Sequence, residues 1–447
     1  MKYLLVTFIA VCKFSIVGAL GGPKTHDRNN QDFIDKGLRL LQLQDEAGYN
    51  LKEALDQRLK PRQKDNAVVC KDGGGGDDGC DKGDDNGGKS QPACTTKNLT
   101  IRKEWRFLSK AERRNYIDAV YCLQSKPSLF TEKEAPGSKN LFDSFAAVHI
   151  NKTQNIHGNA CFFRSTHFNF LAWHRYFVHA YEKALKDQCG YQGVSPYWEW
   201  GYDVHDPHKS PVFDGSPYSM GSDGAPLENR APTFKLPPPP PLPPANGREF
   251  PAGLGGGCVQ SGPFSDLTTN LGPVAMAGGR LDDPLRHNPR CLQRDMNSYI
   301  GQQFTAFNWS TWTVEASRDI VGFQSRLAGT PENESPNGEP LNYFGVHGGG
   351  HTFLGGMTGQ HTDFYSSPQE PAFFLHHGQI DRLWSIWQWL DIKERRDAMW
   401  GTLTFANIPP TRNGTLHDII DLGPLAPPLT MSEVMSTVDG PFCYFYA

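Results

Sequence analysis

The sequence predicts a mainly α fold: a four-helix bundle with imidazoles pointing inward, long irregular loops and few short strands. Two observations predict it. Phe170 stands one helical turn before His174, and Phe373 one turn before His377, each in an apolar and aromatic segment. His347 and His351 are four residues apart, so a helix puts both on one face, able to grip one ion. Burying such rings unpaired costs about 1–3 kcal/mol each, so something must satisfy them. A bundle core lined by facing helices is a place where metal sites are built.

The elements follow in chain order. Residues 1–19 have a basic start, an apolar run and small residues at Gly18 and Ala19, the layout of a signal peptide. Residues 20–93 form an N-terminal arm. Within it, Phe33, Ile34, Leu38 and Leu41 recur at helical spacing over 31–59, as in a propeptide or a packing arm. Residues 71–89 are nearly all Gly, Asp, Lys and Asn, a composition that buries too little surface to fold alone and reads as a flexible tether. Residues 94–447 form the main domain, with helices expected over 110–123, 168–188 and 372–390. The tract 236–244 is nearly all proline and reads as a stiff polyproline loop inserted into that domain.

Composition excludes some functions. A formal net charge of −4 gives no basic footprint, so nucleic acid and anionic membrane surfaces are not expected partners. Beyond residue 19 no stretch is long and apolar enough to span a bilayer. Export is expected from the signal and from five sequons, at Asn98, Asn151, Asn308, Asn333 and Asn413. With Cys12 set aside, nine cysteines remain, an odd number for an oxidising compartment.

The informative histidines form three groups: His149, His157, His167 and His174; His347 and His351; His376 and His377. All-imidazole ligation suits copper or zinc. No carboxylate recurs beside them as a di-iron site requires, so the residue pattern leaves copper and zinc both open.

The ordered motifs Val148-His149-Ile150, Ile156-His157-Gly158, Trp173-His174-Arg175-Tyr176-Phe177, Pro196-Tyr197-Trp198-Glu199-Trp200, His347 with His351, and Phe373-Phe374-Leu375-His376-His377 resemble the type 3 copper proteins, in their secreted fungal tyrosinase and catechol oxidase branch. The resemblance covers residues 94–446 and implies two copper ions. One takes His149, His157 and His174; the other takes His347, His351 and His377. His376 becomes a neighbour of the metal, and Asp381 the acidic residue that orients a ligand or Arg382. The activity implied is oxidation of o-diphenols to o-quinones by O2, on a small phenolic substrate.

The chain departs from the family pattern in ways that bear on activity. The spacing from His157 to His174 carries eight extra residues, within 158–165, and His167 is a competing second ligand. With His157 as ligand, it and His149 approach the ion from one irregular segment. Gly348 stands where many tyrosinases have an Asn that helps deprotonate monophenols, so diphenol oxidation is expected to exceed monophenol hydroxylation. Glu339 is one position out of register with the family's helper Glu. Asn155 stands where some relatives have a thioether-forming Cys. His179 and His361 match no ligand position and are expected to tolerate Ala. The resemblance also implies that Tyr444-Phe445-Tyr446 closes the catalytic core without a long C-terminal lid. Two other readings remain open: a secreted glycoprotein whose first copper site the extra residues have disabled, and a reversible O2 carrier.

Overall fold

The structure, a computed structural model, describes residues 28–56, 93–157, 168–235, 249–274, 282–329, 344–404 and 407–447. The expectations for the signal, the tether, the proline tract, Cys70, Cys80, Cys161, residues 158–165, His167 and Glu339 lie outside these residues.

Helices dominate. α1 (Arg28–Asp56) precedes α2 (Lys110–Gln124), α3 (Leu141–Lys152) and α4 (Phe170–Cys189). Three shorter helices follow: α5 (Ser298–Phe304), α6 (Phe307–Glu315) and α7 (Ile320–Ala328). α8 (Gly345–Gly355) and α9 (Phe373–Leu390) complete the set that builds the site. The described strands are short and pair two by two. None of the described helices is long and apolar enough to cross a membrane.

Local chemistry sets the helix ends. Ser109 and Glu112 form a reciprocal capping box that starts α2, and the Asn140 side chain accepts from Asp143 N to start α3. Gly190 ends α4 at φ +66°, a left-handed conformation that glycine adopts without a Cβ penalty. Just before α9 the Glu370 side chain accepts from Ala372 N at 3.0 Å and its backbone carbonyl accepts from Phe373 N at 2.9 Å, while Arg294 donates to both of its carboxylate oxygens at 2.7 and 2.8 Å.

α3, α4, α8 and α9 supply the four faces of the bundle around the histidines. α3 is the helix that periodicity does not reveal. Every residue from Leu141 to Ile150 is buried, so no polar stripe marks its solvent side. His149 therefore sits on a helix rather than in an irregular segment, and only His157 follows it in a 3-10 turn and loop.

α1 shares the main core through Leu40, Leu43, Ala47 and Leu51. Its Gln44 accepts from Arg382 Nε at 2.6 Å, and Asn50 Nδ2 donates to Trp389 O at 2.9 Å. It packs against the domain that carries the histidines. The strand Thr100–Arg102 pairs in parallel with Tyr444–Tyr446, and a disulfide joins Cys94 to Cys443 beside them. Cys122–Cys189 ties the end of α2 to the end of α4, and Cys258–Cys291 closes a loop.

Candidate dicopper centre

His149 leaves the last turn of α3 with its Nδ1 2.6 Å from Tyr365 O. Thr153 holds the turn that follows: its hydroxyl donates to His149 O at 2.6 Å, and its carbonyl lies 3.2 Å from His157 Nδ1. His174, in the first turns of α4, places Nδ1 2.8 Å from Phe170 O. A carbonyl can only accept, so each Nδ1 carries the hydrogen and each Nε2 keeps its lone pair. These three rings form one group with ligand atoms within 4.8 Å of one another.

The second group is His347 and His351 on α8 with His376 and His377 on α9, again with ligand atoms within 4.8 Å. His351 Nδ1 is 2.8 Å from His361 O, which leaves its Nε2 facing His347 Nε2 at 3.1 Å. The Gly348-Gly349-Gly350 run between the two α8 histidines has distinct tasks. A Cβ on Gly349 would fall 2.8 Å from Phe304 Cβ, and one on Gly350 2.5 Å from His376 Cε1 and Nδ1. One on Gly348 meets only ordinary contacts, 3.5 Å from Phe344 Cβ.

The two groups interlock. The His174 and His377 rings stack at 4.3 Å and 11°. Phe170 lies 4.7 Å from His174 and equally 4.7 Å from His347 across the gap, while Phe373 lies 4.2 Å from His377 and 5.4 Å from His149. Each phenylalanine thus walls both groups. Trp173, by contrast, stacks on Phe177 at 4.7 Å and is a core residue.

Copper fits these residues on a structural ground. His149 Nε2, His174 Nε2 and both nitrogens of His377 are buried with no hydrogen-bond partner among the described residues. An unpaired buried acceptor costs about 1–3 kcal/mol, a penalty that a coordinated cation removes. Desolvation keeps the rings neutral, as ligation requires: His149 is pushed down to about 4 and His351 to about 3, and His157, His174, His347 and His377 are lowered well below the usual value.

Asp381 lies elsewhere. It touches neither a ligand nor Arg382: its oxygens accept from Arg175 Nε, Tyr444 Oη and Tyr446 Oη, each at 2.6 Å. Arg175 follows His174 directly and Asp381 comes one turn after His377, so this buried pair ties the two ligand-bearing helices together. Arg102, 3.6 Å above the Tyr444 ring and 3.6 Å from Asp381, joins the same node. Arg382 pairs with Glu199 instead.

Residues 361–365 escaped sequence reasoning. His361 O orients His351, Tyr365 O orients His149, and the Phe364 ring lies 4.6 Å from His157. Asp363 organises this strut by accepting from Ser366 N at 2.7 Å and Val274 N at 2.7 Å. His361 is fully buried, its ring 4.5 Å from His351, so its expected tolerance of Ala does not fit its surroundings. No periodicity marks a loop that acts through its carbonyls.

The common central domain of tyrosinase matches residues 139–390. Tyrosinase P of Aspergillus terreus is 38% identical over 363 residues, covering 79% of this chain and 94% of that protein. N-acetyl-6-hydroxytryptophan oxidase ivoB of Emericella nidulans is 38% identical over 369 residues, covering 79% and 93%. The structure of a point mutant of a polyphenol oxidase from Thermothelomyces thermophila superposes with a TM-score of 0.73 at 33% identity, covering 92% of this chain and 98% of that one. Proteins of this kind bind a dicopper centre and act on phenolic substrates with O2. On its matched central domain, its relatives and its two buried imidazole groups, the chain belongs to the fungal tyrosinase family of type 3 copper oxidoreductases.

Proposed function

We propose that this copper oxidase is exported and oxidises o-diphenols to o-quinones, with His149, His157 and His174 holding one copper and His347, His351 and His377 the other. The observation that supports the ligand assignment is that backbone carbonyls reserve Nδ1 for donation on His149, His157, His174 and His351 and leave each Nε2 free, while both nitrogens of His377 have no partner among the described residues. The convergence of His157 with His149 and His174 supports an intact first site over a disabled one.

A bound copper pair supplies reversible one-electron chemistry at each ion, so that two catechols give up four electrons and four protons and one O2 becomes two waters. The chain positions and shields. Phe170 and Phe373, whose rings adjoin both groups, wall the space between them. His347, Gly348 and His351 reach the surface in part, while the first group is fully buried, so the phenol approaches over α8. Gly348 leaves that edge without a side chain to hold a base, which favours diphenols over monophenols.

Purified protein assayed with a catechol and with tyramine, with copper counted in parallel, tests this. The expected result is two coppers per chain and catechol oxidation well above tyramine hydroxylation. Comparable rates on tyramine without a lag overturn the role given to position 348, and copper-loaded protein inactive on both overturns the oxidase reading. Export is tested by N-terminal sequencing and glycan analysis of protein recovered from culture medium. Retention inside the cell overturns it.

A further inference from the structure

The second group brings four imidazoles together, one more than the proposed assignment uses, and the fourth is His376. Four histidine ligands would give a closed site, whereas a catalytic ion needs a position left open for substrate. His376 is fully buried within reach of the site, its ring 4.3 Å from that of His351, and its Nε2 has no partner among the described residues. Proximity alone does not keep it off the metal.

The other ring nitrogen does. Trp200 Nε1 lies 3.1 Å from His376 Nδ1. An indole nitrogen can only donate, so His376 Nδ1 accepts and the ring hydrogen sits on Nε2. That is the opposite tautomer from His149, His174 and His351. Metal at Nε2 would force the hydrogen onto Nδ1, where it would face the indole N–H donor to donor. Trp200 is held in place to enforce this: Trp198 N donates to Leu375 O at 3.1 Å, and Glu199 accepts from Gln379 at 2.8 Å and from Arg382. Gly350 is also required, because a Cβ there would fall 2.5 Å from the His376 ring and 3.0 Å from Trp200 Nε1.

We infer that Trp200 is a positioning residue that locks His376 as its Nε2–H tautomer, and so keeps the second copper at three protein ligands with a position open to an exogenous ligand. The inference rests on the ligand assignment proposed above, and the test separates the two. Azide is titrated optically into copper-loaded protein, with copper counted in each variant. Trp200→Phe keeps an aromatic ring and removes the N–H. It is expected to retain two coppers and to bind azide about tenfold more weakly, the size of effect expected when one hydrogen bond no longer opposes the competing ligand. Adding His376→Phe is expected to restore wild-type azide affinity, which a merely structural role for Trp200 would not produce. His376→Phe alone is expected to keep two coppers and wild-type azide affinity, and it tests the inference even where Trp200→Phe does not fold. Unchanged azide affinity in Trp200→Phe, no rescue in the double variant, or loss of copper in His376→Phe each overturns it. Fewer than two coppers in the wild type overturns the ligand assignment instead.

Discussion

His149, His157 and His174 are all fully buried, whereas His347 and His351 on α8 are only half-buried, although both groups use the same parts. Each takes one imidazole from a long aromatic-rich helix, with a phenylalanine one turn earlier. Each is oriented by a carbonyl from residues 361–365. The difference lies in what surrounds them. The first group is closed by α3, Thr153 and Phe364, and the second is edged by Gly348, which adds no side chain. Under the proposed assignment, a shared ligand chemistry serves two tasks: one ion held away from solvent and one that a substrate reaches.

The largest effects should come from the ligands themselves. His377→Ala or His351→Ala is expected to reduce oxidase activity to background and leave fewer than two coppers per chain, measured by metal analysis and O2 uptake. Full activity in either variant would break the assignment of the second group. In the first group, His157→Ala should lower copper content and activity together, while His167→Ala leaves both nearly intact. The reverse pattern would reassign that ligand.

A change that strikes both groups at once sharpens the comparison. Asp381→Ala leaves Arg175 and Arg102 buried beside a missing carboxylate, and removing one partner of a buried pair costs about 3–5 kcal/mol. Thermal unfolding should fall clearly, with copper lost from both sites to a similar degree; an unchanged melting temperature would remove Asp381 from the link between α4 and α9.

The smallest effects separate the three glycines. Gly350→Ala is expected to destabilise by about 1–3 kcal/mol through overpacking against His376. Gly348→Ala should cost little, because its Cβ meets only ordinary contacts. Gly348→Asn should therefore fold, and should raise the ratio of tyramine hydroxylation to catechol oxidation several-fold. A ratio that does not move would show that the open edge, rather than a missing base, sets substrate preference.

The sequence by itself singled out the histidines of α4, α8 and α9: His347 and His351 share one helical face, and His174 and His377 each follow a phenylalanine by one turn in an apolar segment where an unpaired imidazole is costly. The family resemblance, rather than any local pattern, marked Tyr444 to Tyr446 as closing the core, and the structure pairs them with Thr100 to Arg102. Only the tertiary structure decided the rest. α3 is buried on every side and so carries no period. Asp381 meets Arg175 rather than a ligand, because partners 206 residues apart in the chain leave no local signature. The tautomers of His149, His351 and His376, and with them which of their ring nitrogens stay free for metal, depend on carbonyls of residues 361–365 and on one indole N–H, whereas His157 and His174 are set locally by the carbonyls of Thr153 and Phe170. Those are backbone and ring positions that come near a histidine only after the helices have packed.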